Sequence, residues 1–268
     1  MEATKFIVNL TILFLFFQTY GASSSNTMIK ASSNVTCIQR ERQTLLLFRK
    51  GFTKQSKWLS PWTGLECCGW RGVRCDTRTG HVVSLNLCSN GINSTIPVWL
   101  SNLTRLVHLE LFNNSFHGGI PDSIGNLSSL STIDLQWNQL SGPIPDSIGN
   151  LSSLSTIDLS FNQLSGRIPD SIGTLSSLSY MDLSDNQLSG PIPDSIGNLS
   201  SLSHMDLSLN QLSGRIPPSL GGLSSLTYLF LSGNELNGSV PESIGLLTSL
   251  QYLLLTDNKL SGPIPDSI

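Results

Sequence analysis

The sequence predicts a solenoid that winds through one short strand per coil, and three observations support this. Asparagine recurs eight times at an unbroken spacing of 24 residues: Asn90, Asn114, Asn138, Asn162, Asn186, Asn210, Asn234 and Asn258. In each period the seventh and ninth positions are apolar with polar neighbours, which is typical of a half-buried strand. Glycine and then Ile-Pro follow in most periods, and these residues disfavour a long helix. A fixed period of about 20 to 50 residues indicates a repeat architecture.

Residues 1–22 are predicted to be a secretory signal peptide, cleaved near residues 21–25. Lys5 precedes an apolar run over 6–17, and small residues follow. A membrane anchor is the alternative, but twelve helical residues rise only about 18 Å, against a hydrocarbon core of about 30 Å. No later stretch offers a membrane span. Residues 23–36 are small and polar, and we expect them to be disordered.

Residues 37–78 are predicted to cap the solenoid, since a solenoid needs its first coil covered. A short amphipathic helix is expected where apolar residues lie among charges, at Ile38, Leu45, Leu46 and Phe48. Three tryptophans are expected to form a compact apolar plug: Trp58, Trp62 and Trp70.

The five cysteines agree with an oxidising compartment, which favours disulfides. Cys67 and Cys68 are chain neighbours and make a poor pair. Pairing Cys37 with Cys67 and Cys68 with Cys75 would staple the cap. A zinc site is the alternative, which secretion disfavours. Cys88 is left over at an exposed tenth position, as a free thiol or a bridge to another chain.

Residues 79–268 are predicted to form eight coils of 24 residues, beginning at 79, 103, 127, 151, 175, 199, 223 and 247. Each coil is expected to hold one strand, a turn and an irregular or 3₁₀-like return, so that stacked strands form a parallel sheet. The asparagine amides are expected to pair backbone groups inside the coil, a structural role. The last coil is incomplete and has no C-terminal cap, so truncation is expected, with four side chains uncovered: Leu253, Leu255, Leu260 and Ile264.

Charge divides the chain near residue 79. Residues 1–78 hold eleven Lys/Arg against four Asp/Glu, and residues 79–268 hold four against fourteen, which gives net charges of +7 and −10. An acidic solenoid repels phosphates, so the charge pattern argues against a nucleic acid partner.

Two parts of the sequence carry a family resemblance. The coils follow the pattern L-x-x-L-x-x-L-x-L-x-x-N-x-L-x-G-x-I-P-x-x-[IL]-G-x, and the cap reads CIQRERQTLLLFRK and then CCGWRGVRCDTRTGHVVSLNL. Over about 230 residues they resemble plant extracellular leucine-rich repeat proteins, namely receptor-like proteins and polygalacturonase-inhibiting proteins. In such caps the first cysteine pairs with the first of the twin cysteines.

The resemblance implies an α/β repeat fold. This is a right-handed leucine-rich repeat solenoid with a parallel concave β-sheet, an irregular or 3₁₀ convex side and a disulfide-stapled helical cap. A second small sheet is expected at the Ile-Pro segments. The resemblance also implies recognition at the cell surface or in the cell wall, in defence or development. The expected partners are an extracellular peptide or protein and a membrane receptor kinase as co-receptor.

The predicted concave face consists of the fifth, sixth, eighth, tenth and eleventh positions of each coil. Its eighth position stacks carboxylates that could attract a basic ligand and raise one another's pKa by repulsion, including Asp134, Asp158, Asp182 and Asp206. The alternatives are local bonding by a repeat-consensus aspartate, or calcium, which this column suits less for want of converging oxygens. Exposed aromatics are typical anchors of protein interfaces, and the predicted contact residues are Phe112, Trp137, Phe161, Tyr180, Tyr228 and Phe230.

Eight N-glycosylation sequons follow the predicted signal peptide: Asn34, Asn93, Asn102, Asn113, Asn126, Asn150, Asn198 and Asn237. Four share the last position of a coil, which places any glycans on the flank or convex side. Asn113 borders the concave face, where a glycan would limit access.

The sequence predicts no catalytic, metal or cofactor site. His108 and His204 share a coil position but lie four coils apart, about 19 Å, and His81 and His117 are isolated. No nucleophile or phosphate-binding motif appears. The leading prediction is a secreted, non-enzymatic module that binds a peptide or protein on its concave face. Two alternatives stay open: an inhibitor of a pathogen polygalacturonase, and a truncated receptor-like protein with little independent function.

Overall fold

The computed structural model describes residues 36–52 and 62–267. The predicted signal peptide, nearly all of the polar segment, Asn34 and Trp58 lie outside the described residues. One compact unit contains the whole solenoid. No helix in the described part of the chain is long and apolar enough to cross a membrane.

The cap consists of helix α1 (Gln39–Lys50), a 3₁₀ turn (Cys67–Gly69) and strand β1 (Val73–Cys75). Helix α1 buries Phe48, whose ring lies 5.8 Å from Trp99 and 6.0 Å from Phe116 of the first coils. The predicted apolar plug is confirmed for its described members, because Trp62 and Trp70 are buried and stack at 5.4 Å.

Two disulfides close the cap. Cys37 pairs with Cys67 at a Cα–Cα distance of 5.5 Å, and Cys68 pairs with Cys75 at 5.3 Å. Because the four sulfurs are joined in two disulfides, they are not available as zinc ligands in this structure, which favours the disulfide prediction over the zinc alternative.

A buried glutamate ties the cap to the first coil, a contact that the sequence reading missed. Glu41 Oε1 lies 2.7 Å from His81 Nδ1, and Glu41 Oε2 accepts a hydrogen bond from the Val82 N–H at 2.6 Å. The prediction that His81 is isolated is therefore wrong.

The large sheet has nine strands, one for each coil and β1 from the cap. Strand β1 pairs antiparallel with the first coil strand, and all later neighbours are parallel. Each residue pairs with its equivalent 24 positions on, as Tyr180 does with His204. The coil strands are β2 (Val82–Asn86), β4 (His108–Glu110), β6 (Thr132–Asp134), β8 (Thr156–Asp158), β10 (Tyr180–Asp182), β12 (His204–Asp206), β14 (Tyr228–Phe230) and β16 (Tyr252–Leu254).

The second sheet has eight strands. They are β3 (Asn93–Thr95), β5 (Ser115–Gly118), β7 (Gln139–Gly142), β9 (Gln163–Gly166), β11 (Gln187–Gly190), β13 (Gln211–Arg215), β15 (Glu235–Gly238) and β17 (Lys259–Leu260). It precedes the Ile-Pro segments, so the expected placement on those segments is wrong. Proline has no N–H to donate to a ladder, and Pro145 instead precedes a 3₁₀ helix over Asp146–Asn150.

The remaining 3₁₀ helices return the chain to the next strand, as predicted. They span Val98–Asn102, Asp122–Asn126, Asp170–Thr174, Asp194–Asn198, Pro218–Gly222 and Glu242–Leu246. Glycine near their ends lets adjacent coils approach, since a Cβ on Gly173 would lie 2.3 Å from the Ser195 carbonyl oxygen. Serine hydroxyls add ties between coils, as when Ser171 Oγ donates to the Asp146 carbonyl at 2.7 Å.

The asparagine column is confirmed as structural. Asn162 Nδ2 donates to the carbonyls of Leu135, Leu159 and Ser160 at 3.0–3.1 Å. Its Oδ1 accepts from the Leu140 N–H of the preceding coil at 2.9 Å. We call each asparagine of this column a rung. At the first rung, Asn90, the Oδ1 atom is buried without a hydrogen-bond partner among the described atoms. Each inner rung therefore joins two successive coils, and the Leu135 and Leu159 carbonyls each accept from the asparagines of two successive rungs.

Candidate ligand-binding face

The aspartates at the eighth coil position accept hydrogen bonds within their own coils, as one of the alternatives in the sequence analysis predicts. Asp158 Oδ1 accepts from the Ser160 N–H at 3.0 Å and from Ser160 Oγ at 2.7 Å. The same pair of bonds joins Asp182 to Ser184 and Asp206 to Ser208. Asp158 is only 8% exposed, so the expectation that this position is open to solvent is wrong there.

Burial raises the pKa of these carboxyls. It raises the pKa of Asp134 to about 6 and that of Asp206 to about 7. The pKa values of Asp158 and Asp182 are also raised, with burial again the largest cause. For Asp158 and Asp206 the next cause is the negative charge of Asp182. The predicted mutual repulsion is thus present and is secondary to burial.

Five rings form an aromatic cluster at the C-terminal end of the concave face: Tyr180, His204, Tyr228, Phe230 and Tyr252. Tyr180 stacks on His204 at 4.5 Å, and Tyr228 stacks on Tyr252 at 5.0 Å. Phe230 meets the His204 ring edge-on at 5.7 Å. His204 and Phe230 are 8% and 9% exposed, whereas Tyr252 is 54% exposed. The rings cover one another and leave an exposed edge.

The predicted contact set missed His204 and Tyr252. Both occupy the sixth coil position of Tyr180 and Tyr228, and this shared position was the signal that could have placed them in the set. Burial lowers the pKa of His204 to about 4, so its imidazole is neutral at pH 7.

Trp137 and Phe161 form a second, separate aromatic pair at the eleventh coil position. Their rings lie 4.0 Å apart and almost parallel, and Trp137 is 43% exposed. Both residues have left-handed backbones, with φ of 54° and 52°, where Gly233 stands in a later coil. The eleventh residue of every coil is left-handed, from Ser89 to Asp257, so this conformation belongs to the turn of the repeat and is not special to the aromatic pair. Phe112 is half-buried and lies outside both aromatic sets.

The concave face is acidic throughout. At its five positions, residues 79–267 include no Lys or Arg. The carboxylates at these positions are Glu110, Asp134, Asp158, Asp182, Asp185, Asp206 and Asp257. Burial and the charge of Asp182 raise the pKa of Asp185 to about 6. The face therefore presents carboxyl groups between two aromatic groups, and these carboxyls gain negative charge as the pH rises through their raised pKa values.

Cys88 is half-buried rather than exposed as expected. Burial raises the pKa of its thiol well above the usual range. The thiol is therefore protonated at neutral pH, which lowers its reactivity.

Most of the described sequons are accessible. Asn126, Asn150 and Asn198 are exposed at the ends of their 3₁₀ helices, away from the strands. Asn102 is half-buried and accepts a hydrogen bond from Arg40. The other exposed sequon residues are Asn93, Asn113 and Asn237.

Comparisons with known proteins agree with this architecture. A model described as "Leucine rich repeat N-terminal domain" matches residues 38–76, and a "Leucine rich repeat" model matches 80–140, 143–188, 192–236 and 216–260. Receptor-like protein EIX1 of Solanum lycopersicum is 34% identical over 99 residues, which cover 34% of this chain and 9% of that relative. The chain thus spans less than a tenth of that protein.

Similar solved structures cover most of the chain. The structure of PEPR1–AtPEP1 has a TM-score of 0.82 and 36% identity, over 85% of this chain and 32% of that one. The structure of the Arabidopsis receptor kinase HAESA, in complex with the peptide hormone IDA and the co-receptor SERK1, has a TM-score of 0.72. It is 32% identical and covers 86% of this chain and 44% of that one.

The buried aspartates predict that the protein loses stability as the pH rises. A raised pKa means that the folded state keeps a proton which the unfolded chain, with Asp near 3.9, has released. That contribution is complete below pH of about 4 and is lost as the pH rises through about 6 to 7. The lowered pKa of His204 has the opposite effect on stability, because it destabilises the folded protein as the pH falls below about 6.5. Five carboxyls outnumber one imidazole, so we expect urea unfolding to give a smaller free energy at pH 8 than at pH 5.

The Asp206→Asn variant tests whether buried carboxyls cause the loss of stability at high pH. Asparagine keeps an oxygen for the Ser208 N–H and removes the charge, so we expect a gain of about 1–3 kcal/mol at pH 8 and little change at pH 5. Asp170→Asn, at an exposed position, is the matched control and should leave the pH dependence unchanged. If the unfolding free energy of Asp206→Asn depended on pH in the same way as that of the wild type, the buried Asp206 carboxyl would not be a source of the pH dependence.

Proposed function

This chain belongs to the leucine-rich repeat family, and we propose that it is a recognition module that binds a peptide or protein ligand on its concave face. The observation that carries the proposal is the pair of aromatic groups on an acidic sheet face without Lys or Arg. We propose that the module acts outside the cell, secreted or at its surface, in plant defence or developmental signalling.

The geometry supports binding because the aromatic side chains stand on a rigid support. Each inner strand is paired on both sides, and asparagine rungs fix the coils beneath. Tyrosine and tryptophan contribute large contact areas and lose little rotamer freedom, so they are frequent anchors of interfaces. A rigid, prearranged face lowers the entropic cost of association.

The similar structures support a peptide ligand and a co-receptor. HAESA is in complex with a peptide hormone and the co-receptor SERK1. The similarity covers 86% of the residues of this chain. We therefore propose an extracellular peptide as ligand and a membrane receptor kinase as co-receptor. The proposed role is non-enzymatic, since the aspartates bond to their own coils and His204 packs within the aromatic cluster.

Selection from a phage-displayed library of random peptides tests the proposal. We expect enriched peptides to lose tenfold or more in affinity for Trp137→Ser and for Tyr252→Ser, because truncated aromatic anchors cost about 2 kcal/mol or more. Leu246→Ser is the matched control, since Leu246 is 66% exposed at the end of a 3₁₀ helix. Its affinity should equal that of the wild type.

Equal binding by the three variants, or loss only in Leu246→Ser, would place the binding surface elsewhere. A parallel assay with a fungal polygalacturonase separates the inhibitor alternative. Inhibition that disappears in Trp137→Ser would favour an enzyme inhibitor over a peptide receptor.

A further inference from the structure

We infer that the ligand of the concave face is an extended peptide of about seven residues, apolar near both ends and basic between them. This inference rests on the proposed function and adds the length and chemistry of the ligand. Its basis is the order of side chains along a path across the face. This path, called the diagonal below, follows the eleventh coil position through Trp137, Phe161 and Asp185 and then crosses to the eighth position at Asp206 and Phe230.

The two ends of this diagonal are apolar. Trp137 and Phe161 stack at one end, and Trp137 exposes 43% of its surface. At the other end Phe230 is 9% exposed and packs against the half-buried Tyr228 of the same coil, so the two rings share the accessible apolar surface there. These groups offer two places where an apolar ligand side chain can bury its surface, which is the usual arrangement of binding anchors.

The distance between the two ends sets the length of the ligand. Trp137 and Phe230 lie four coils apart, and strands stack at about 4.8 Å, so the ends are separated by about 19 Å along the solenoid. The diagonal also crosses the strands, which lengthens the path to a little over 20 Å. An extended chain rises about 3.3 Å per residue. The two anchoring side chains are therefore about six positions apart, and they point the same way because side chains alternate with period two.

The middle of the diagonal is acidic. Asp185 is half-exposed at the eleventh position of its coil, directly after Trp137 and Phe161 in the same column. Asp206 is in register with Asp182 on one side and with Phe230 on the other. Among the described contacts, Asp206 uses Oδ1 for Ser208, which leaves Oδ2 able to accept from a ligand.

Charge complementarity then favours a basic peptide as the ligand. No Lys or Arg of the described coils lies on the concave face, so no cationic side chain of that kind pairs with these carboxyls there. A lysine or arginine two or four positions after the first anchor would reach them on the same side of the peptide. An acidic peptide or a nucleic acid would meet like charge along the same path.

Fluorescence anisotropy with designed peptides tests the inference. The probe is a labelled nonapeptide with leucine at positions 2 and 8, arginine at 4 and 6, and serine elsewhere. One control peptide replaces both arginines with glutamate, and a second moves the leucines to positions 2 and 5. We expect the arginine probe to bind wild-type protein at least tenfold more tightly than either control.

Protein variants locate the charge contact. Asp185→Asn should weaken binding of the arginine probe about five- to tenfold, the usual range for losing one charged contact at an interface. Asp170→Asn removes the same charge from an exposed 3₁₀ helix and should leave the affinity unchanged.

Equal affinities for arginine and glutamate probes, or equal losses in the two variants, would overturn the basic ligand. Equal affinities for the two leucine spacings would overturn the length. If library peptides without basic residues bind through Trp137 and Tyr252 while the arginine probe fails, the inference is wrong and the proposed function stands. If no peptide depends on either aromatic side chain, both are wrong.

Discussion

The structure depends on how the chain satisfies backbone groups where each strand turns into the interior of the coil. Those N–H and C=O groups cannot reach water and lie beyond the strand ladder, and leaving them unpaired would cost about 1–3 kcal/mol each. The asparagine amide supplies donors to three carbonyls and an acceptor for one N–H of the preceding coil. Because each inner rung joins two coils, it fixes both the spacing of the coils and their register.

Fixed register turns coil positions into columns, and this determines the surface. Residues 24 apart stand side by side, so a repeated aspartate stacks upon itself and a repeated aromatic forms a row of rings. Stacked carboxyls are partly withdrawn from water, and this burial raises their pKa values. The coils share their core residues and differ on the concave face, where Trp137, Phe161, Asp185 and the aromatic cluster replace the common pattern. The residues that differ from coil to coil are therefore the ones that we propose bind the ligand.

The period predicts much of the fold because its causes are local to one coil or shared by neighbouring coils. The asparagine rungs, the strands at the seventh position and the 3₁₀ returns were all predictable, and the resemblance to a known cap supported the disulfide pairing. The contact of Glu41 with His81 was not predictable, since 40 residues separate them. The burial of Asp158 and the inclusion of His204 in the aromatic cluster depend on side chains in adjacent coils, which sequence periodicity does not reveal. Proline chemistry could have placed the second sheet before the Ile-Pro segments.

Replacing one inner rung tests the central claim most directly. Urea unfolding of Asn162→Ala should show a loss of about 1–3 kcal/mol, because the Leu140 N–H loses its Oδ1 acceptor and three carbonyls each lose one of two donors. Asn90→Ala is the matched control at the first rung, where Oδ1 has no partner among the described atoms, and it should lose clearly less. Equal losses at the two positions, or a loss at Asn162 below about 1 kcal/mol, would contradict the account.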